Sequence, residues 1–152
     1  KGPCYVGNNA TIGTNSILRN GTIIEDNCVV GANMEIKNSI LMKGTTTHSG
    51  FIGDSVIGEE CKIAAQFVSA NVRLDRQNVI ATVKGKRIDT GKRSLGVFMG
   101  NKVMAGINCS IMPGVTVGNN VVIGPSTTIR KNVPSNIRYY TKFQEIIEEK
   151  NV

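Results

Sequence analysis

The chain has 152 residues and a mass of 16.3 kDa, with 40% hydrophobic and 5% aromatic residues, no Trp, 17 Gly and 16 Asn. That is room for one domain with its own core, too apolar for a disordered chain and too poor in aromatics for an ordinary sandwich or helical bundle. Eighteen Lys+Arg against eleven Asp+Glu leave a net charge of +7, which favours anionic partners, while no stretch approaches the ~20 apolar residues of a membrane span.

Taken in chain order, the first residue is Lys1 rather than Met and no secretory signal follows, so the chain is expected to begin inside a longer protein. Aliphatic residues then recur every six positions at Val6, Ile12, Leu18, Ile24, Val30, Ile36 and Met42. Gly often follows them, as at Gly7, Gly13 and Gly31, and the fourth residue on is small at Ala10, Ser16, Thr22 and Cys28. A shorter run holds Ile57 and Ile63, and a second long one holds Met99, Ala105, Ile111, Val117, Ile123 and Ile129. A period of six fits neither a helix nor a sustained strand. It fits a three-sided prism of short strands and tight corners, with one aliphatic residue per face on the axis and Gly or Asn supplying the positive φ of the corners. Three such sides make one coil, so about five coils are expected, held by strand hydrogen bonds at ~4.8 Å spacing.

Cys28, Cys61 and Cys109 take the small interior slot, with Phe67 in the equivalent slot after Cys61. No C-x-x-C pair or neighbouring His suggests zinc, and reduced thiols of a cytoplasmic protein are the expected state.

Two segments break the repeat. Met42 to Ile57 is fifteen residues, so the phase slips around His48, the one histidine of the chain. Residues 71–96 would place Asp75, Ala81, Arg87 and Arg93 on the axis, so they are expected to leave the prism as a loop. Between Asn71 and Leu95 lie seven cations against two carboxylates, +5 of the net +7. Such interruptions are where function is usually added. After Pro134, Tyr140, Phe143, Ile146 and Ile147 have helical spacing, which predicts a short C-terminal helix over 135–152 capping the stack.

A lone His in a Gly/Thr-rich turn can be structural or act as a general base, since its pKa lies near operating pH. Arg19 and Lys37 are eighteen residues apart, one full coil, and should stack on one edge ~5 Å apart. Two like charges so close call for an anion between them, and phosphate suits. A solvated pair of surface cations is the bland alternative.

The hexads resemble the hexapeptide-repeat family, which implies a left-handed parallel β-helix. The elements Leu18-Arg19-Asn20-Gly21, Lys37-Asn38-Ser39 and His48-Ser49-Gly50-Phe51-Ile52-Gly53-Asp54 further resemble the C-terminal acetyltransferase domain of bifunctional sugar-1-phosphate nucleotidylyltransferases. Ser69 to Asp75 and Asp89 to Gly96 look closest to the archaeal branch. The resemblance covers nearly the whole chain, here 1–134 as β-helix with the 71–96 insertion. It implies an N-terminal nucleotidylyltransferase domain before Lys1, with Mg2+ needed there only, and a homotrimer with acetyl-CoA in the groove between subunits.

By the same resemblance, His48 is the base that deprotonates the amine of an amino-sugar 1-phosphate, and Asn71 positions the sugar or the amine. Arg19 and Lys37 hold its phosphate, with Phe51, Arg73 and Arg93 at the substrate. Gly106 and Gly124 meet the pantetheine arm, and Arg130 and Lys131 meet the coenzyme phosphates. The motif usually has Tyr where Phe51 stands, and Lys where Gln77 and Ile80 stand.

Other functions compete with this one. A β-helix of this kind can serve only to trimerise or regulate a nucleotidylyltransferase. O-acetylation of a free sugar or serine would not need the Arg19/Lys37 pair. Three-His carbonic anhydrase chemistry is excluded by the single His. Nucleic-acid binding lacks aromatic residues interleaved with the basic loop.

Overall fold

A computed structural model describes residues 2–150. The first coil is β1 (Cys4–Val6), β2 (Thr11–Ile12) and β3 (Ile17–Leu18), and the second is β4 (Thr22–Ile24), β5 (Val29–Val30) and β6 (Met34–Lys37). The third holds β7 (Ile40–Leu41), β8 (Thr46–Thr47) and β9 (Gly50–Gly53); the fourth holds β10 (Val56–Ile57), β11 (Lys62–Ile63) and β12 (Phe67–Ser69). After an inserted hairpin, β13 (Ile80–Val83) and β14 (Lys86–Asp89), the fifth coil is β15 (Phe98–Met99), β16 (Met104–Ala105) and β17 (Ser110–Ile111). The sixth is β18 (Thr116–Val117), β19 (Val122–Ile123) and β20 (Thr128–Ile129), and β21 (Arg138–Tyr139) begins another turn. Successive coils pair in parallel, giving sheets of six, seven and six strands around one axis. The fold is the expected all-β parallel β-helix, one coil longer than the repeat count suggested.

The interior follows from the hexads. Ile24, Val30, Ile36, Ile111 and Ile129 are wholly buried, as are Cys28, Cys61 and Cys109 in the small slot. Each fully buried aliphatic side chain is worth ~1.5–3 kcal/mol. At Asn9, Asn15, Asn27, Asn33, Asn108 and Asn120, φ lies between 53° and 59°. Asn tolerates this left-handed turn because its short polar side chain bonds locally, which is why a chain of many corners carries so many Asn. Polar interior slots are satisfied too. Thr45 Oγ1 donates to the Gly58 carbonyl at 2.6 Å and accepts from the Cys61 amide at 3.1 Å.

The phase slip begins one side earlier than the sequence suggested. Leu41 is buried and Met42 only half-buried, so the axis passes from Ile36 to Leu41 in five residues, not six to Met42. Thr47 to Ile52 and Ile52 to Ile57 are five-residue sides as well. At two of these corners the left-handed residue, Asn38 or Asp54, comes directly after the first corner residue. A corner residue has been dropped, and the shortened sides bracket His48 and Asp54.

Residues 71–95 do leave the prism. β10 and β15 are neighbours, with Val97 N donating to Ser55 Oγ across 42 positions. The insertion is a β-hairpin rather than a loop that only reaches outward. Its tip is Lys84-Gly85 with φ of 48° and 76°, the pair of left-handed residues that a two-residue hairpin needs. Its base is clamped to its own coils: Val79 is buried against Gly114, and Asn132 Nδ2 donates to the Thr82 carbonyl at 2.8 Å.

The predicted C-terminal helix is absent among the described residues. Residues 141–150 have no regular secondary structure, and Asn151 and Val152 lie outside the described residues. Tyr140, Phe143, Ile146 and Ile147 are 61% to 93% exposed. A helix of about ten residues is marginal unless it buries an apolar face, and Phe143, Ile146 and Ile147 are exposed.

Candidate functional site

His48 occupies the corner between β8 and β9, its amide donating to the Ile63 carbonyl at 3.0 Å. It directly follows the axial Thr47, a position held in the other coils by Gly13, Gly31, Ala64, Gly106 and Gly124. The exposed imidazole therefore stands at the head of a file with almost no side chains. The three coil steps from His48 to Gly124 span ~14 Å. The result is a mainly apolar groove of about 450 Å³, flanked by Lys62, Met104, Val122 and Pro125. Gly106 and Gly124 line it with His48. The Gly124 register position in the next turn is Tyr140, which closes the file.

Arg19 and Lys37 fall in register on the third sheet, as predicted from their spacing. The anions beside them are carboxylates of the chain. Arg19 Nη1 lies 2.8 Å from Glu35 Oε1, with both side chains well exposed. Lys37 Nζ lies 3.2 Å from Asp54 Oδ2.

Asp54, which sequence reasoning passed over, is the centre of this cluster. Its side chain is 8% exposed. Asn38 Nδ2 donates to Oδ1 at 2.7 Å, and Lys37 and Asn71 Nδ2 both donate to Oδ2. Burial pushes its carboxyl up, but the hydrogen bonds from Asn38, Asn71 and Lys37, with the Lys37 charge, outweigh it and hold the group below its ordinary value. Its signal in the sequence was its place at the end of the His48 motif, two residues past an axial Ile. Gly53 leaves room for two of the predicted residues: a Cβ there would stand 2.7 Å from Phe51 Cε1 and 2.9 Å from Asn71 Nδ2. Lys37, Phe51 and Asn71 are thus brought together around Gly53 and Asp54.

None of these residues lines the His48 groove, and the remaining predicted residues stand apart from both. Arg73 is ion-paired with Asp75 two residues on, which draws the Asp75 carboxyl down to about 2. Arg93 is exposed on the insertion. Arg130 and Lys131 line a separate cleft with Ile80, Thr82 and Gly114, away from the His48 groove. Lys62, in the His48 groove, was also missed, since one outward cation on a two-residue strand carries no signal in a single sequence.

Residues 1–95 match the family model of the GMPPB C-terminal domain, and residues 96–131 match that of the bacterial transferase hexapeptide (six repeats). A bifunctional sugar-1-phosphate nucleotidylyltransferase/acetyltransferase of Sulfurisphaera tokodaii is 42% identical over 122 residues, covering 80% of this chain and 30% of that protein. A bifunctional protein GlmU of Methanocaldococcus jannaschii is 42% identical over 134 residues, covering 88% of this chain and 32% of that protein. The chain spans about a third of the length of these relatives. Among solved structures, the polysialic acid O-acetyltransferase OatWY shares the fold, with a TM-score of 0.53 at 22% identity over 96% of this chain and 88% of that one. Among the described residues, no helix is long and apolar enough to cross a membrane. The chain belongs to the GMPPB C-terminal domain family, continued by hexapeptide repeats of the bacterial transferase type.

Proposed function

We propose that this chain is the acetyl-transferring part of a bifunctional sugar-1-phosphate nucleotidylyltransferase/acetyltransferase, a homotrimer that uses acetyl-CoA to N-acetylate an amino-sugar 1-phosphate. The observation that carries the reading is His48 at the head of a groove floored by Ala64, Gly106 and Gly124. A ~14 Å trough without side chains suits an extended, flexible thioester arm. The archaeal relatives, named as acetyltransferase and GlmU proteins, support the same reaction.

In this reaction the His48 imidazole takes a proton from the acceptor nitrogen as that nitrogen bonds to the thioester carbonyl carbon. The carbon–sulfur bond then breaks, and the proton leaves with the coenzyme thiol. Asn71 positions the acceptor, with Phe51 packed beside it. Arg19 takes the sugar phosphate by exchanging Glu35 for it, Lys37 meets the phosphate with a second N–H while it stays paired with Asp54, and Arg73 and Arg93 supply positive potential from the insertion. Arg130 and Lys131 line another cleft of the same chain, and in this reading they meet the coenzyme phosphates across the groove between subunits.

Thiol release from acetyl-CoA, measured with glucosamine-1-phosphate, galactosamine-1-phosphate, glucosamine-6-phosphate and glucosamine, tests the assignment. Turnover confined to 1-phosphates supports it, and equal turnover of the free amino sugar removes the phosphate from the account. The second reading is a β-helix that only trimerises or regulates its nucleotidylyltransferase. The pairing of both Arg19 and Lys37 with carboxylates favours it, and a folded trimer inert toward all four acceptors would establish it.

A further inference from the structure

Resting on the function proposed above, we propose that Asp54 is the positioning residue of the site: it fixes which end of the Asn71 amide faces the acceptor and holds Lys37 beside it. Asp54 stands at a shortened corner, with φ of 49°, and its side chain is almost enclosed. Three donors converge on it. Lys37 and Asn38 come from the preceding coil, and Asn71 comes from the start of the insertion. An ionised carboxylate only accepts hydrogen bonds. The Asn71 NH2 must therefore face Asp54, and its Oδ1 is the end left for a ligand. No side chain or amide among the described residues donates to that oxygen.

An amide that presents only its oxygen takes an N–H or O–H from the ligand. Asn71 thus selects an acceptor that donates a proton at that point, as the amine or a neighbouring hydroxyl of an amino sugar does, and disfavours one that offers only oxygen lone pairs. Asp54 touches no substrate in this arrangement. It acts through Asn71 and Lys37.

A double-mutant cycle tests this. Acceptor turnover is measured in the protein, in Asp54→Asn, in Asn71→Ala and in the double variant. Asn keeps the left-handed backbone at position 54, and melting curves check that each variant is folded. Asp54→Asn is expected to lower kcat about tenfold or more in the otherwise unchanged protein. In the Asn71→Ala background the loss should be clearly smaller, the remainder being the part that Lys37 carries. Equal losses in both backgrounds would show a structural role only and overturn the proposal.

A second measurement is independent of turnover and of any variant at position 54. In isotope-labelled protein the Asn71 side-chain NH2 resonance should titrate together with the Asp54 carboxyl. An Asn71 resonance blind to Asp54 protonation overturns the positioning role, whereas absence of turnover alone overturns only the functional reading.

Discussion

Gly31 stacks directly on His48 in the next coil, so that a Cβ at Gly31 would stand 2.6 Å from His48 Cα. The absence of a side chain at Gly31 is what lets the His48 corner sit at normal coil spacing. A clash with backbone cannot be relieved by rotating a side chain. Gly31→Ala should therefore destabilise the chain by about 1–3 kcal/mol, read as a lower denaturant midpoint. A neutral substitution would mean that the two coils are farther apart at this corner.

The axis assignment makes a paired prediction. Leu41 is buried and Met42 is not, so Leu41→Ala should cost about 2–5 kcal/mol and Met42→Ala less than about 1 kcal/mol. The reverse order would restore the unbroken hexad through Met42.

The cysteines should divide three to one. Burial pushes the thiols of Cys28, Cys61 and Cys109 up, while Cys4 is exposed. Thiolate is the reactive form. A disulfide reagent should modify one thiol rapidly in the folded protein and the other three only on unfolding. Rapid loss of two or more would contradict the core assignment.

The Asp54 carboxyl is held below its unfolded value of 3.8 in the folded chain. Its contribution to stability is therefore complete above about pH 4 and declines as pH falls through the lower folded value. The stability difference between the protein and Asp54→Asn should be largest near neutral pH and narrow below pH ~4. Denaturant midpoints at several pH values measure it, and a gap that stays constant into acid would mean that Asp54 is not ionised in this network.

Much of the fold was legible because a hexad marks every axial and every interior slot. The slip around His48 was legible too, but its start at Leu41 was not, since Leu41 and Met42 are adjacent and both apolar, and spacing alone continues the six-residue count through Met42. The C-terminal spacing was helical, but amphipathicity states what a helix would bury, not that a surface exists to receive it. At the site, Gly106 and Gly124 share the file of His48 because each follows an axial residue of its coil, a relation that coil register carries. The carboxylate partners of Arg19 and Lys37 lie sixteen and seventeen residues away. They come into reach only by coil stacking, so reading the cations without the outward Glu35 and the corner Asp54 left an apparent vacancy for phosphate. Arg130 and Lys131 were placed by position alone, and the inserted hairpin puts them in a cleft of their own.

The most direct test of the central claim is thiol release from acetyl-CoA with glucosamine-1-phosphate in the protein, in His48→Ala and in Ala64→Phe. His48 is exposed, so its removal should leave folding intact while lowering kcat ~100-fold or more. Ala64→Phe fills the groove and should raise KM for acetyl-CoA about tenfold or more, leaving that for the sugar phosphate unchanged. Turnover that survives both substitutions would place the chemistry outside this groove and contradict the account.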